Sequence, residues 1–285
     1  MELNRLFLDE IIDRCLREDV GTGDLTTNSI VPAQATTRGY IMAKEAGVVA
    51  GLHLAERVFC RLEPSIKFEA LVEDGDAVLP GAILAGLEGK TRAILTGERL
   101  ALNFLQHLSG IATRTSELVK LLDGQPVRLV DTRKTTPGLR ELEKYAVRVG
   151  GGYNHRFGLY DGILIKDNHI KAAGGITPAI KAARSASPHT LKIEVEVEDL
   201  AGVQEALAAG TDIIMLDNMS PEEMAEAVRI IAGRAAVEAS GGISEGNIQA
   251  VAASGVDMIS VGALTHSVKA MDNSLDLHEV KAVHK

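Results

Sequence analysis

The sequence predicts an α/β protein whose larger part is an irregular, incomplete β/α barrel. Apolar runs recur at 127–131, 161–166, 191–197, 211–217, 235–240 and 256–262. Helical patterns separate most of them, and repeated strand–helix units make parallel strands. Six clear strands are too few for a full eight-stranded barrel, and an open doubly wound sheet is the second architecture. No G-x-G-x-x-G follows a strand at dinucleotide spacing, which weighs against that alternative.

The elements follow in chain order. Leu8, Ile11, Ile12, Cys15 and Leu16 share one helical face, so Met1–Val20 reads as an amphipathic helix. It lacks the basic start and unbroken apolar core of a signal peptide. Residues 36–90 read as a small α/β layer. Arg38–Lys44 and Val48–Ala50 are short strands around the Glu45-Ala46-Gly47 turn, and Leu54, Val58, Phe59 and Leu62 form a helical stripe. Ile66, Phe68, Ala70 and Val72 alternate as a half-buried strand, Glu73-Asp74-Gly75-Asp76 turns, and Ile83–Leu87 is another strand. The Asp74–Leu84 string resembles the hairpin of biotinyl and lipoyl carriers, but no modifiable Lys stands at its tip. Thr91–Leu122 reads as a long helix, broken near Gly110, with the transition between domains at 108–112. Further on, Thr177-Pro178 supplies an N-cap with Pro at the first helical position. Ser220-Pro221-Glu222-Glu223 is a capping box, while Ala208-Ala209-Gly210 and Ser254-Gly255 close helices.

With 285 residues the chain can bury a sizeable core in one or two domains. A net charge of −9 argues against nucleic acid or anionic membrane as partners. No stretch is long enough to span a membrane, and the expected compartment is the cytoplasm. Cys15 and Cys60 lie on apolar helical patterns and read as reduced core thiols; neither belongs to a C-x-x-C pair.

Against this acidic background, cations gather where strands give way to loops, which is where barrels place their chemistry. The first barrel strand ends in Asp131, Thr132, Arg133 and Lys134. Asn154, His155 and Arg156 follow, and the second strand ends in Lys166, Asp167 and Asn168. The third strand carries Glu194 and Glu196, and the fourth ends in Asp217 and Asn218. The fifth ends in Ser240, Gly241 and Gly242, and the sixth in Val261, Gly262 and Ala263. Glycines in the last two loops let backbone N–H groups approach a phosphate, each ahead of a helix whose N-terminus favours an anion. Glu196 and Asp217 are oxygen donors suited to Mg²⁺, directly or through water, or to ribose hydroxyls. The alternation of Glu194, Glu196 and Glu198 puts three acids on one strand face, which in a barrel is lumen or helix layer. Lys166 is either a charge partner or, as in a phosphate-binding barrel lyase, a Schiff-base residue; the surrounding cations favour the former.

Asp131-Thr132-Arg133-Lys134-Thr135-x-Pro137-Gly138 and Asn154-His155-Arg156, with Glu98-Arg99-x-x-Leu102-Asn103, resemble the quinolinate phosphoribosyltransferase family. The likeness runs from Glu18-Asp19-Val20-Gly21-x-Gly23-Asp24-Leu25-Thr26 to Gly262-Ala263-Leu264-Thr265-His266. It implies an N-terminal α/β sandwich domain over 1–110, the barrel over 111–267, and a tail, 268–285, that packs back on the first domain. It implies a decarboxylating pentosyltransferase of NAD biosynthesis that needs Mg²⁺ and no organic cofactor, acting as a homodimer or hexamer. Quinolinate would be held by Arg133, His155, Arg156 and Lys166, with Arg99 from a neighbouring subunit. Lys134, Glu196, Asp217, Ser240–Gly242, Val261–Ala263 and His266 would handle phosphoribosyl pyrophosphate and its Mg²⁺, Thr132 would be a further substrate-binding residue, and Lys134, Lys166, Glu196 and Asp217 would be catalytic. Proteins associated with molybdenum transport resemble the same family, and the intact Arg/Lys set argues against that reading.

Overall fold

The computed structural model describes residues 3–278. Two compact units divide the chain: 1–116 with 141–151 and 267–285, and 117–140 with 152–266. Met1, Glu2 and residues 279–285, part of the expected first helix and of the expected returning tail, lie outside the described residues.

In the first unit, α1 (Arg5–Val20) is capped by the Asn4 side chain and buries Leu8, Ile11, Ile12 and Leu16. α2 (Leu25–Ile30) is capped by Asp24, whose carboxylate accepts the Thr27 N–H at 2.9 Å. The strands are β1 (Thr36–Ala43) and β2 (Gly47–Val48), then, after α3 (Leu52–Leu62), β3 (Lys67–Ala70), β4 (Ala77–Val78) and β5 (Ile83–Lys90). α3 buries Leu52, Leu54, Ala55, Val58 and Phe59; Leu54, Val58 and Phe59 belong to the expected helical stripe, and its fourth member, Leu62, is half-buried. Arg61 of α3 forks onto Asp13 of α1 at 2.5 and 2.9 Å, and Arg57 pairs with Asp9.

α4 (Thr91–Leu121) runs unbroken through Gly110, contrary to the expected break. The glycine serves close approach instead, since a Cβ there would stand 2.2 Å from the Lys269 carbonyl oxygen. Ser109 and Thr113 turn their hydroxyls to the short β2 region, accepting the Ala50 and Val48 N–H groups at 3.0 and 2.8 Å.

The second unit opens with β6 (Arg128–Val130). α5 (Arg140–Val149) is counted almost wholly with the first unit. There follow β7 (Ile163–Ile165), α6 (Asp167–Ala173), α7 (Ile176–Ala186), β8 (Ile193–Val197), α8 (Leu200–Ala208), β9 (Ile213–Asp217) and α9 (Pro221–Ile231). β10 (Ala236–Ser240), α10 (Ile248–Ala253), β11 (Met258–Ser260) and α11 (Ala263–His266) complete it, and β12 (Asn273–Leu277) returns to the first unit. There it pairs antiparallel with β1 in a sheet ordered β12-β1-β5-β3.

The second unit's six parallel strands take the order β6-β11-β10-β9-β8-β7. The two edge strands are neighbours in sequence, so this is the cyclic order of a barrel whose closing pair, β6 and β7, forms no ladder. A single bridge, Val130 to Tyr153, marks the gap. The incomplete barrel read from the sequence is therefore the observed architecture, and the missing ladder falls where the connecting helix α5 belongs to the other unit.

The Ser220 capping box forms as read, with Ser220 and Glu223 exchanging side-chain and backbone bonds. The start of α7 does not. Gly175 is its N-cap, and Thr177 is the second helical residue, its N–H and hydroxyl both bonded to Glu205 at 2.9 and 2.8 Å. Pro178 then falls third, still within the turn whose N–H groups need no helical acceptor. A helix does follow Ser240–Gly242, as expected, but residues 243–247, with a turn at 245–247, come before α10, whereas α11 begins at Ala263 itself. Cys15 and Cys60 are free and only half-buried, short of the core position expected, and burial pushes both thiols up.

Candidate active site

At the C-terminal ends of the parallel strands lies a cavity of about 690 Å³. Its wall includes Thr132, Arg133 and Lys134 after β6, His155 and Arg156 before β7, and Lys166 after it. Glu196 of β8, Asp217 of β9, Ser240 to Gly242 after β10, and Val261 to Ala263 with His266 after β11 complete that set. Every site residue expected from the sequence lines this cavity except Arg99, which is exposed on α4 in the first unit.

Asp131 is fully buried and anchors the basic segment. Its carboxylate accepts the Asn154 amide at 2.6 Å and the His155 backbone N–H at 2.8 Å. Arg140 braces the other loop, donating to Thr135 Oγ1, the Arg133 carbonyl and the Phe157 carbonyl at 2.9, 3.4 and 3.2 Å. The Thr265 hydroxyl donates to the Lys134 carbonyl at 2.7 Å. Arg133 and Arg156 are thus held close together. Burial, then the neighbouring Arg133 charge, pulls the Arg156 guanidinium below its ordinary value. Arg156 gives one N–H to the Gly162 carbonyl at 2.9 Å, while the Nε of both arginines is buried without an acceptor among the described residues. Buried donors without acceptors are costly, and an anionic ligand relieves that cost.

Lys166 Nζ lies 2.5 Å from Glu196 Oε2, an ion pair between the ends of adjacent strands. Asp217 accepts the Asn218 amide at 2.7 Å, and Asn218 adopts a left-handed φ of 55°. Gly241 and Gly242 have φ of 89° and 60°, and a Cβ on Gly241 would meet Asn218 Oδ1 at 2.2 Å. At Gly262 a Cβ would press on Lys134 and His266. These glycines therefore answer to backbone conformation and close packing at the rim.

The floor was not legible in the sequence. His155 Nδ1 accepts the Arg156 N–H at 2.7 Å, and its Nε2 sits 3.1 Å from Glu194 and 3.6 Å from Glu238. Glu238 was missed because it stands inside the apolar run 235–240, where a single acid gives no periodic signal. Glu194 was visible only as part of the acid alternation. Of that trio, Glu194 and Glu196 turn inward and Glu198 is exposed. His169 has a local role, its Nδ1 accepting the Lys166 N–H at 3.0 Å.

The family described as quinolinate phosphoribosyl transferase matches the chain in two parts, its N-terminal domain over residues 24–109 and its C-terminal domain over 111–276. A probable nicotinate-nucleotide pyrophosphorylase (carboxylating) of Bacillus subtilis is 48% identical over 275 residues, covering 96% of this chain and 95% of its own. The probable enzyme of the same name from Methanocaldococcus jannaschii is 48% identical over 94% of this chain and 96% of its own. Among solved structures, NadC of Streptococcus pyogenes superimposes with a TM-score of 0.94 at 46% identity, covering 99% of both chains. A human nicotinic acid phosphoribosyltransferase shares the fold alone, at a TM-score of 0.63 and 12% identity over 98% of this chain and 75% of its own. With both domain descriptions matched in order and relatives this similar end to end, the chain belongs to the quinolinate phosphoribosyl transferase family.

Proposed function

We infer that the protein transfers the phosphoribosyl group of phosphoribosyl pyrophosphate to quinolinate, with loss of CO₂, to give nicotinate mononucleotide and pyrophosphate in de novo NAD biosynthesis. The observation that carries the reading is the pair Arg133 and Arg156, each with a buried Nε lacking an acceptor among the described residues, in the cavity that also holds Lys134 and Lys166. Guanidinium forks match adjacent carboxylates, and quinolinate has two.

In this reading Arg133 and Arg156 orient the dicarboxylate, and Lys166, released from Glu196, adds a third charge. His155 supports Arg156 through its Nδ1. Thr132, Lys134, His266 and the loops Ser240–Gly242 and Val261–Ala263 receive the phosphates. Glu196 and Asp217 stand where positive charge develops as pyrophosphate leaves the ribose C1. The pyridine nitrogen then bonds to C1 and becomes cationic. The C2–carboxylate bond breaks, CO₂ leaves, the electron pair stays at C2 beside the cationic nitrogen, and a proton from water completes the product.

Glu196 and Asp217 present hard carboxylate oxygens at the ends of neighbouring strands, a donor set that fits Mg²⁺ with substrate and water oxygens. Mg²⁺ bound there would neutralise charge on the departing pyrophosphate. Arg99 is assigned to the site of a neighbouring subunit, which makes a homodimer, or a hexamer built from dimers, the working assembly. The support is its exposure on α4 in the first unit and the family resemblance. No described helix is long and apolar enough to cross a membrane, and with the acidic composition the cytoplasm is the proposed compartment.

The test is product analysis with quinolinate, phosphoribosyl pyrophosphate and Mg²⁺. Nicotinate mononucleotide, pyrophosphate and CO₂ are expected in equal amounts, with nicotinate unable to replace quinolinate. Equal turnover of nicotinate, or no mononucleotide at all, overturns the reading.

A further inference from the structure

Two carboxylates in the second unit's core share one imidazole nitrogen. Glu194 of β8 and Glu238 of β10 are 4% and 2% exposed, and both face the same Nε2 of His155. One oxygen of each, Oε1, is buried without a hydrogen-bond partner among the described residues. Two ionised carboxylates so placed would repel each other in a medium that solvates neither. Either a cation or a proton must be present to hold the group together.

The imidazole decides between them. Its Nδ1 accepts the Arg156 N–H, so that lone pair is used. In a neutral ring the hydrogen then sits on Nε2, which has no lone pair left for a metal. Three potential ligand atoms do lie within 4.8 Å of one another, but the ring is turned as a hydrogen-bond donor. A proton on one carboxylate also supplies the donor that the pair lacks.

We propose that Glu238 is held as the neutral acid and, with Glu194 and His155, forms a positioning triad that sets the charge behind the Arg133–Arg156 pair for a dianionic ligand. The inference rests on the dicarboxylate reading of this site. The groups facing Glu238 are Glu194 from β8, His155 from the β6–β7 connection and the Ser260 hydroxyl from β11; its register neighbours on β9 and β11 are Met215 and Met258. Burial first, and then the Glu194 charge, pushes the Glu238 carboxyl up to about 7, with His155 and Ser260 opposing. Kept neutral, Glu238 leaves the floor one negative charge instead of two, and the guanidinium pair keeps its pull on a dianion. Ionised, it adds a charge of the ligand's own sign. By linkage, a dianion that binds better to the acid form holds the proton on Glu238.

Quinolinate alone, titrated calorimetrically from pH 6 to 8.5, is the ligand probe, and ¹³C-carboxyl NMR of glutamate-labelled protein reads Glu238 without any ligand. The expected results are one carboxyl resonance titrating near neutral pH, absent in Glu238→Gln, and a Kd that weakens about tenfold across the range in the natural protein. In Glu238→Gln that pH slope is lost. A missing neutral-range resonance, an unchanged slope in Glu238→Gln, or one equivalent of tightly bound Zn²⁺ per purified chain overturns the proposal. A titrating resonance in a protein that binds no quinolinate at any pH counts against the substrate assignment, and the binding role of the triad falls with it.

Discussion

Lys166 shows how one contact separates two chemistries. A Schiff-base lysine must be uncharged and face a carbonyl, whereas this one is paired with Glu196 at 2.5 Å. Lys166→Ala is expected to lower kcat/KM for quinolinate by an amount equivalent to about 1.5–3 kcal/mol, the range for a hydrogen bond to a charged group. Borohydride trapping with substrate should leave Lys166 unmodified in the mass spectrum; an adduct would restore the lyase alternative. At this scale the sequence was most legible, because cations concentrated at strand ends in an acidic chain need a partner, and the partner is visible in the residue types. Glu238 was hidden for the same reason: a lone acid within an apolar run is read from its neighbours in space.

Elements carry their own tests. Asp74, in the turn before β4, accepts the Gly51 and Leu52 N–H groups at 2.8 and 3.1 Å and the Tyr145 hydroxyl of α5 at 2.6 Å. Burial alone would raise its carboxyl, but bonds from His53, Tyr145 and these two N–H groups outweigh it and hold Asp74 below its ordinary value. A depressed carboxyl stabilises the fold above its unfolded value near 3.8, and that stability disappears as pH falls through the lower folded value. Asp74→Asn should therefore melt lower than the natural protein at pH 7, with the gap closing in acid; a constant gap down to pH 2 would assign the loss to geometry alone. On α4, Gly110→Ala should gain about 1 kcal/mol of helix propensity and lose more to the Lys269 carbonyl, with overpacking costing about 1–3 kcal/mol. Denaturant unfolding should show a net loss, and a stabilised variant would mean that the chain near Lys269 yields easily. The break expected at Gly110 misread this glycine, since sequence does not distinguish a glycine that ends a helix from one that admits a crossing backbone.

At the scale of the whole molecule, Arg99 tests the assembly. Arg99→Ala and Lys166→Ala should each lose most of their activity alone, and co-expressed they should regain activity. In the proposed dimer a mixed pair carries one intact site, so its activity should approach about half that of the natural protein. Purified heterodimers as inactive as their parents would return Arg99 to its own chain or to a structural role. By itself the sequence determined the strand–helix rhythm, the shortage of strands and the strand-end chemistry, because hydrophobic period and residue type are local properties. Tertiary structure alone decided that β6 and β7 form no ladder, that β12 pairs with β1, and that His155 rests on two buried acids. Those outcomes depend on which distant residues share a hydrogen bond or a buried proton, and burial, not sequence spacing, sets that cost.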